Sequence, residues 1–165
     1  MKRLAILLAL AAPLAGCGLH PLYEGGGSGP VAASLSRVEV APIEGKAGYL
    51  MTNALRDRLP SRSGEPALYR LEIKLDDSIT GLGVRRDDTV TRERRTLRAR
   101  YQLVDVSNGQ IVLDATAGSD AGVDVVNSEY ATIAAENTAL ERLSEIVADQ
   151  IVTKIALYAR RQMAK

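Results

Sequence analysis

Between residues 85 and 100 the chain carries seven arginines, Arg85, Arg86, Arg92, Arg94, Arg95, Arg98 and Arg100, against three acids, Asp87, Asp88 and Glu93. A guanidinium stays charged and offers a planar fork of donors that grips phosphate or carboxylate oxygens two at a time. The chemistry open to such a cluster is anion binding. If the strand that holds it begins near Thr91, then Arg92, Arg94, Thr96, Arg98 and Arg100 share one side. Neighbours on that side stand about 6.8 Å apart, twice the rise per residue. Such a row could face a surface bearing several phosphates or carboxylates. The plainer reading is that any half-buried sheet shows a polar face to water. Core-to-core pairing with the preceding strand brings Glu72 and Asp76 to the same side, where they could neutralise two of the arginines. Both readings stand at this point.

For making or breaking bonds the chain offers little. His20 is the one histidine, three residues past the one cysteine, and no serine has a histidine to act as its base. The glycines from 25 to 29 precede the patterned part of the chain, so no glycine-rich loop joins a strand to a phosphate-binding helix. Asp76-Asp77 and Asp87-Asp88 could hold a cation, but loop acids beside Arg85 and Arg86 read as solvated. The expectation is a protein that is not an enzyme and has no metal or resident cofactor.

The amino terminus has the layout of an export signal: Lys2 and Arg3, an apolar run from Leu4 to Leu14, then Ala15-Gly16 before Cys17. That run is shorter than the roughly 20 residues needed to cross a bilayer. Leu14-Ala15-Gly16-Cys17 resembles the bacterial lipobox, whose cysteine thiol receives a diacylglycerol and whose freed amine takes a further acyl chain. The resemblance makes Cys17 the lipidation site and a covalent lipid the only attached group. Each buried methylene contributes about 0.8 kcal/mol, so several chains on one residue hold a protein to a membrane durably. Gly18 stands where an aspartate would suggest inner-membrane retention, so the expected location is the outer membrane of a Gram-negative cell. The signal takes Lys2 and Arg3 with it, and the mature chain is close to neutral given 21 basic and 20 acidic residues overall. Global charge predicts no nucleic-acid partner.

The expected organisation is a lipoprotein signal peptide over 1–16, a lipidated flexible tether over 17–33 and one α+β domain over 34–165. The tether rests on Glu24-Gly25-Gly26-Gly27-Ser28-Gly29-Pro30, which has nothing to bury. A coil of that kind spans on the order of 20–25 Å. A first strand is expected over Leu35–Val40, then a helix released by Gly48 with Met51, Leu55 and Leu59 at spacing four, stopped by Pro60 to Gly64. Tyr69, Leu71, Ile73 and Leu75 alternate with polar residues as a second strand, and Gly81, Gly83 and Arg85–Asp88 read as a loop. Leu97, Ala99, Tyr101 and Leu103 give a third strand its core side. Asn108-Gly109 signals a hairpin into a fourth strand at Ile111, which fades around Gly118 to Gly122. From Ser128 a helix of about seven turns carries Ile133, Leu140, Leu143, Val147, Ile151, Ile155 and Tyr158 on one stripe. The order predicts two helices on one face of a mostly antiparallel four-stranded sheet, a two-layer sandwich.

Cys17-Gly18-Leu19-His20-Pro21-Leu22-Tyr23 is similar to the Cys-Gly-Phe-x-Pro-Leu-Tyr start of many lipopolysaccharide-assembly lipoproteins of the LptE family, with Leu19 in place of Phe. The closing helix with Ala148-Asp149-Gln150-Ile151, and the order of elements, carry the rest of the resemblance. It implies an outer-membrane lipoprotein that plugs the β-barrel LptD, aids its assembly, and helps insert lipopolysaccharide into the outer leaflet while binding it. The implied partners are an LptD-like barrel, lipopolysaccharide, and the membrane through the anchor. Arg92, Arg94, Arg98 and Arg100 come from the local pattern alone, as candidates to contact lipopolysaccharide or the barrel. The rival reading is a periplasmic adaptor lipoprotein of an ABC-type lipid-transport or envelope-maintenance complex.

Overall fold

The computed structural model describes residues 26–59, 65–84 and 90–163. A 3-10 turn (Gly26–Ser28) leads into helix α1 (Pro30–Leu35), strand β1 (Val38–Val40), helix α2 (Gly45–Arg58), strands β2 (Tyr69–Val84), β3 (Val90–Asp105) and β4 (Ile111–Asp124), and helix α3 (Glu129–Met163). Strands follow chain order across one sheet, β1 running parallel to β2 and the later pairs antiparallel. The helices pack on one face, which is the α+β architecture expected from the pattern.

Period-two alternation decides that face. Leu71, Ile73 and Leu75 of β2 and Leu97, Ala99, Tyr101 and Leu103 of β3 point to the helices. There they meet Leu140, Leu143, Val147, Ile151 and Ile155 of α3 and Met51 and Leu55 of α2. Burying each such side chain contributes roughly 1.5–3 kcal/mol. The hydroxyl of the buried Ser144 donates to the Leu140 carbonyl at 2.8 Å, so it needs no outside partner. Tyr69 and Tyr158 meet edge-to-face with ring centroids 6.3 Å apart. For all its length, α3 carries charges throughout: among the described residues no helix is long and apolar enough to cross a membrane.

The structure corrects several boundaries. α1 begins inside the stretch expected to be tether and runs into the expected first strand, with Pro30 at its start and Val31, Ala32 and Leu35 buried. Residues 30–33 therefore belong to the folded body, and residues 17–25 lie outside the described residues. Leu35 ends α1, which shortens the first strand to three residues. α2 begins at Gly45, whose φ of +79° a side chain would strain. Gly81 and Gly83 are strand, not loop, while Arg85–Asp88 and Pro60–Gly64 lie outside the described residues. β4 does not fade but runs to Asp124. At Asn108-Gly109 the turn closes through the Gly109 amide donating to the Asp105 carbonyl at 2.8 Å, with Gly109 at φ +71°.

The apolar alternation of β2 stops at Asp77 for a physical reason. Asp77 lies on the helix side and accepts from Arg95 Nε at 2.8 Å and Nη2 at 2.6 Å. Arg95 Nη1 donates to the Glu136 carbonyl in α3 at 2.9 Å. Arg95 is 9% exposed, and its bond to Asp77 raises its pKa. A polar pair here replaces an apolar contact, tying the outer half of the β2–β3 hairpin to the first turns of α3. Arg95→Met should destabilise the protein by about 2–3 kcal/mol, below the roughly 3–5 of a fully buried pair because Asp77 is partly exposed. The double change Asp77→Leu with Arg95→Met should recover most of that loss in denaturant titration. An equal loss in the single and double variants would show that the pair is not what holds this end.

Candidate functional site

The face of the sheet turned away from the helices carries the even-numbered residues of β2, β3 and β4. Arg92, Arg94, Thr96, Arg98 and Arg100 stand on it in one row, as the strand period requires. The acids that meet them come from β4, not from β2. Arg92 Nε lies 3.5 Å from Asp124, Arg98 Nη2 3.1 Å from Asp120, and Arg100 Nη2 3.1 Å from Asp114. Asp76 is opposite Arg98 in the β2–β3 register, yet Arg98 turns to the other neighbour. Glu72 is held by Arg70 at 2.7 Å. The expected neutralisation by Glu72 and Asp76 is thus replaced by neutralisation from the far strand.

Glycine explains that choice. The stem of Arg98 crosses Gly118 so closely that a Cβ there would collide with it, and Nη1 then reaches the Ser119 carbonyl at 3.1 Å. Gly122 lies under the Arg92 guanidinium in the same way, 3.4 Å from a Cβ position to Nε. The small residues that blurred β4 in the sequence form the bed on which arginines lie flat.

Two cations of this face have no ion-pair partner among the described residues, Arg94 and Lys74. Arg94 is exposed and acts on Asp120 only through its charge. Lys74 stands directly opposite Arg100, a like-charge pair that costs energy unless an anion comes between. Shallow clefts of about 390 Å³ and 410 Å³ adjoin this pair, one edged by Glu72 and Gln102, the other by Asp76, Arg98 and Thr116. Lys74 is a site residue that the arginine pattern alone did not reveal; its register opposite Arg100 shows it.

The acids are tuned by the same contacts. Arg100, then Gln102, donate to Asp114 and lower its pKa; Thr96, then Arg98, do so for Asp120, with the Arg94 charge adding to the effect. Their pairs are solvent-exposed, and water and salt screen such pairs so that they add little to stability. A multiply charged anion can therefore compete for these guanidinium forks without unfolding anything. Among the described residues no cluster of three or more metal-ligating side chains exists. Cys17, His20, Arg85 and Arg86 lie outside the described residues.

The fold is shared with solved lipoproteins. A Caulobacter crescentus protein assigned as a lipoprotein is 29% identical, with 81% of this chain and 98% of that chain covered and a TM-score of 0.68. The rare lipoprotein B of Shewanella oneidensis matches at 10% identity over 76% of this chain and 96% of its own, TM-score 0.60. The minor lipoprotein of Acinetobacter baumannii matches at 14% identity over 73% and 88%, TM-score 0.55. No curated protein matches the sequence. The lipopolysaccharide-assembly family model LptE matches residues 35–155, from the end of α1 to the last third of α3. That span takes in all four strands, and the chain belongs to the LptE family of lipopolysaccharide-assembly proteins.

Proposed function

We propose that this protein is acylated on Cys17, sits at the outer membrane as the plug of an LptD-like β-barrel, and helps pass lipopolysaccharide to the outer leaflet. In this reading residues 1–16 are the signal and the acylated segment from Cys17 leads to the body that begins at α1. The observation that carries the proposal is the open face of the sheet. Among the described residues no helix covers it, its strands present mainly charged and hydroxyl side chains, and Lys74 and Arg94 have no ion-pair partners. A barrel lumen is itself polar, so a plug needs a surface of this kind. Lipid A phosphates and core carboxylates are the anions that would displace Asp120 from Arg98 and Asp114 from Arg100.

Charge on this face is arranged as a cationic β3 between more acidic neighbours, which favours an extended polyanion along one strand over a single compact ion. Binding of this kind weakens with salt, because exposed charges are screened within about 10 Å at 0.1 M ionic strength. The family membership supports the assembly role, and the open polar face supports the lipid and barrel contacts.

Replacing Arg92, Arg94, Arg98 and Arg100 together by glutamine should weaken lipopolysaccharide binding at least about tenfold, since losing even one charge-assisted contact of roughly 1.5 kcal/mol does so. Circular dichroism should remain that of the parent, and adding Lys74→Gln should weaken binding further. Unchanged affinity at low salt would remove this face from the lipid site. Mass spectrometry of the mature product should find acyl groups on Cys17, and Cys17→Ala should leave the precursor unprocessed; an unlipidated mature terminus would end the anchor proposal. Purified under mild detergent, the chain should bring down a large outer-membrane barrel, whereas recovery with inner-membrane transporter subunits would favour an adaptor role.

A further inference from the structure

The cations do not run the whole length of the open face. At the end where β3 turns into β4, the same side of the sheet becomes apolar. Val104 lies opposite Arg70 of β2 and opposite Ile111 of β4. The β3–β4 register slips between Leu103 and Val104, and the slip brings the odd-numbered Ile111 to the side that Asp114 and Thr116 occupy further on. Leu68 precedes Arg70 by two residues and Val106 follows Val104 by two, so the strand period puts both on this side as well. The Val106 amide donates to the Leu68 carbonyl at 3.0 Å, which carries the ladder out to them.

None of these four side chains belongs to the core that the helices cover. Val104 is 6% exposed, whereas Leu68, Val106 and Ile111 are 40%, 50% and 54% exposed. Arg70, the charge beside them, is already held by Glu72 at 2.7 Å. Apolar side chains clustered in water mark a contact surface, where scattered ones do not. The charge next to the cluster says what the contact is. Lys74 and Arg100 stand four residues further along β2 and β3, about 13 Å from the row of Arg70 and Val104. The cleft of about 390 Å³ lined by Glu72, Ile73, Lys74, Arg100 and Gln102 occupies the step between. One face thus offers an apolar end, a polar step and a cationic stretch in turn.

We propose that the apolar end binds the acyl chains of the lipopolysaccharide whose phosphates the cations hold. The lipid lies lengthwise on the sheet, with its chains over Leu68, Val104, Val106 and Ile111. Its phosphates meet Lys74 and Arg100, and its sugar acids extend toward Arg94. A reversed lipid would lay its chains over Arg92, Arg94 and Asp124, where removing charge from water is costly. An apolar stretch of the barrel wall would gain nothing from the cations next to the cluster. An amphiphile uses both. This inference rests on the lipid reading of the open face and adds a direction of docking to it.

Leu68→Ser, Val106→Ser and Ile111→Ser together, in the full lipoprotein, should weaken binding of intact lipopolysaccharide at least about tenfold. That is the loss expected when even two methylenes leave an apolar contact. Binding of fully deacylated lipopolysaccharide, which keeps its phosphates and sugars, should not change, and circular dichroism should remain that of the parent. The four arginine-to-glutamine changes should instead weaken both forms alike. Benzoylphenylalanine in place of Ile111 should form its photo-adduct with lipopolysaccharide in cells, and in place of the exposed Glu141 of α3 it should not. Equal losses for both forms in the serine variant, or no loss for either, would overturn this inference and leave the cationic site standing. So would an adduct of position 111 with a barrel polypeptide. An unaltered chain that binds neither form would overturn it together with the reading it rests on.

Discussion

Burial of one side of β3 against α3 is the constraint on which the rest of this molecule depends. Leu97, Ala99, Tyr101 and Leu103 are almost wholly buried beneath Leu143, Val147 and Ile151. A shift of one residue in that strand would turn every one of them to water and drive arginines into the core. The register is therefore held, and with it the side on which every other residue of the sheet appears. The arginine row exists because the leucine row must be buried.

The same constraint gives one residue type two uses. Arg95 has an odd number and lies under α3, where Asp77 and the Glu136 carbonyl take up its donors. Removing water from such a group makes its partners obligatory. Arg92, Arg98 and Arg100 have even numbers and lie in solvent, where their acids are companions that an incoming anion can replace. Arg95 secures the architecture, and the others are free to act. Position relative to the helices, not composition, separates the two.

The open face and the edges have a related logic. β3 is central and pairs along its length with both neighbours, so its polar side chains are held on a rigid ladder. β4 supplies glycine where an arginine stem must cross and aspartate where its fork must end. The helices cover only one side, which leaves a broad polar surface suited to meeting a polar lumen or a phosphorylated lipid.

Much of this was legible in the order of residues alone. Alternation over residues 69–76 and 96–106, the three- and four-residue steps from Ile133 to Tyr158, and the shared side of Arg92, Arg94, Arg98 and Arg100 are properties of strand and helix periods, which are local. They sufficed for the α+β order and for the row. What they could not reach depended on partners distant in the chain. Val31 and Ala32 looked like linker, and Leu35 like the start of a strand, because the helix they form packs on α3, far along the chain. Asp77 broke the alternation because its counter-ion, Arg95, lies across a hairpin. The stretch from Gly118 to Gly122 looked too small to be strand because the space above its two glycines is filled by Arg98 and Arg92 of β3. The sequence determined which residues share a face; only the folded sheet decided which acid each arginine meets, since that choice is made by register and by the space a glycine leaves open.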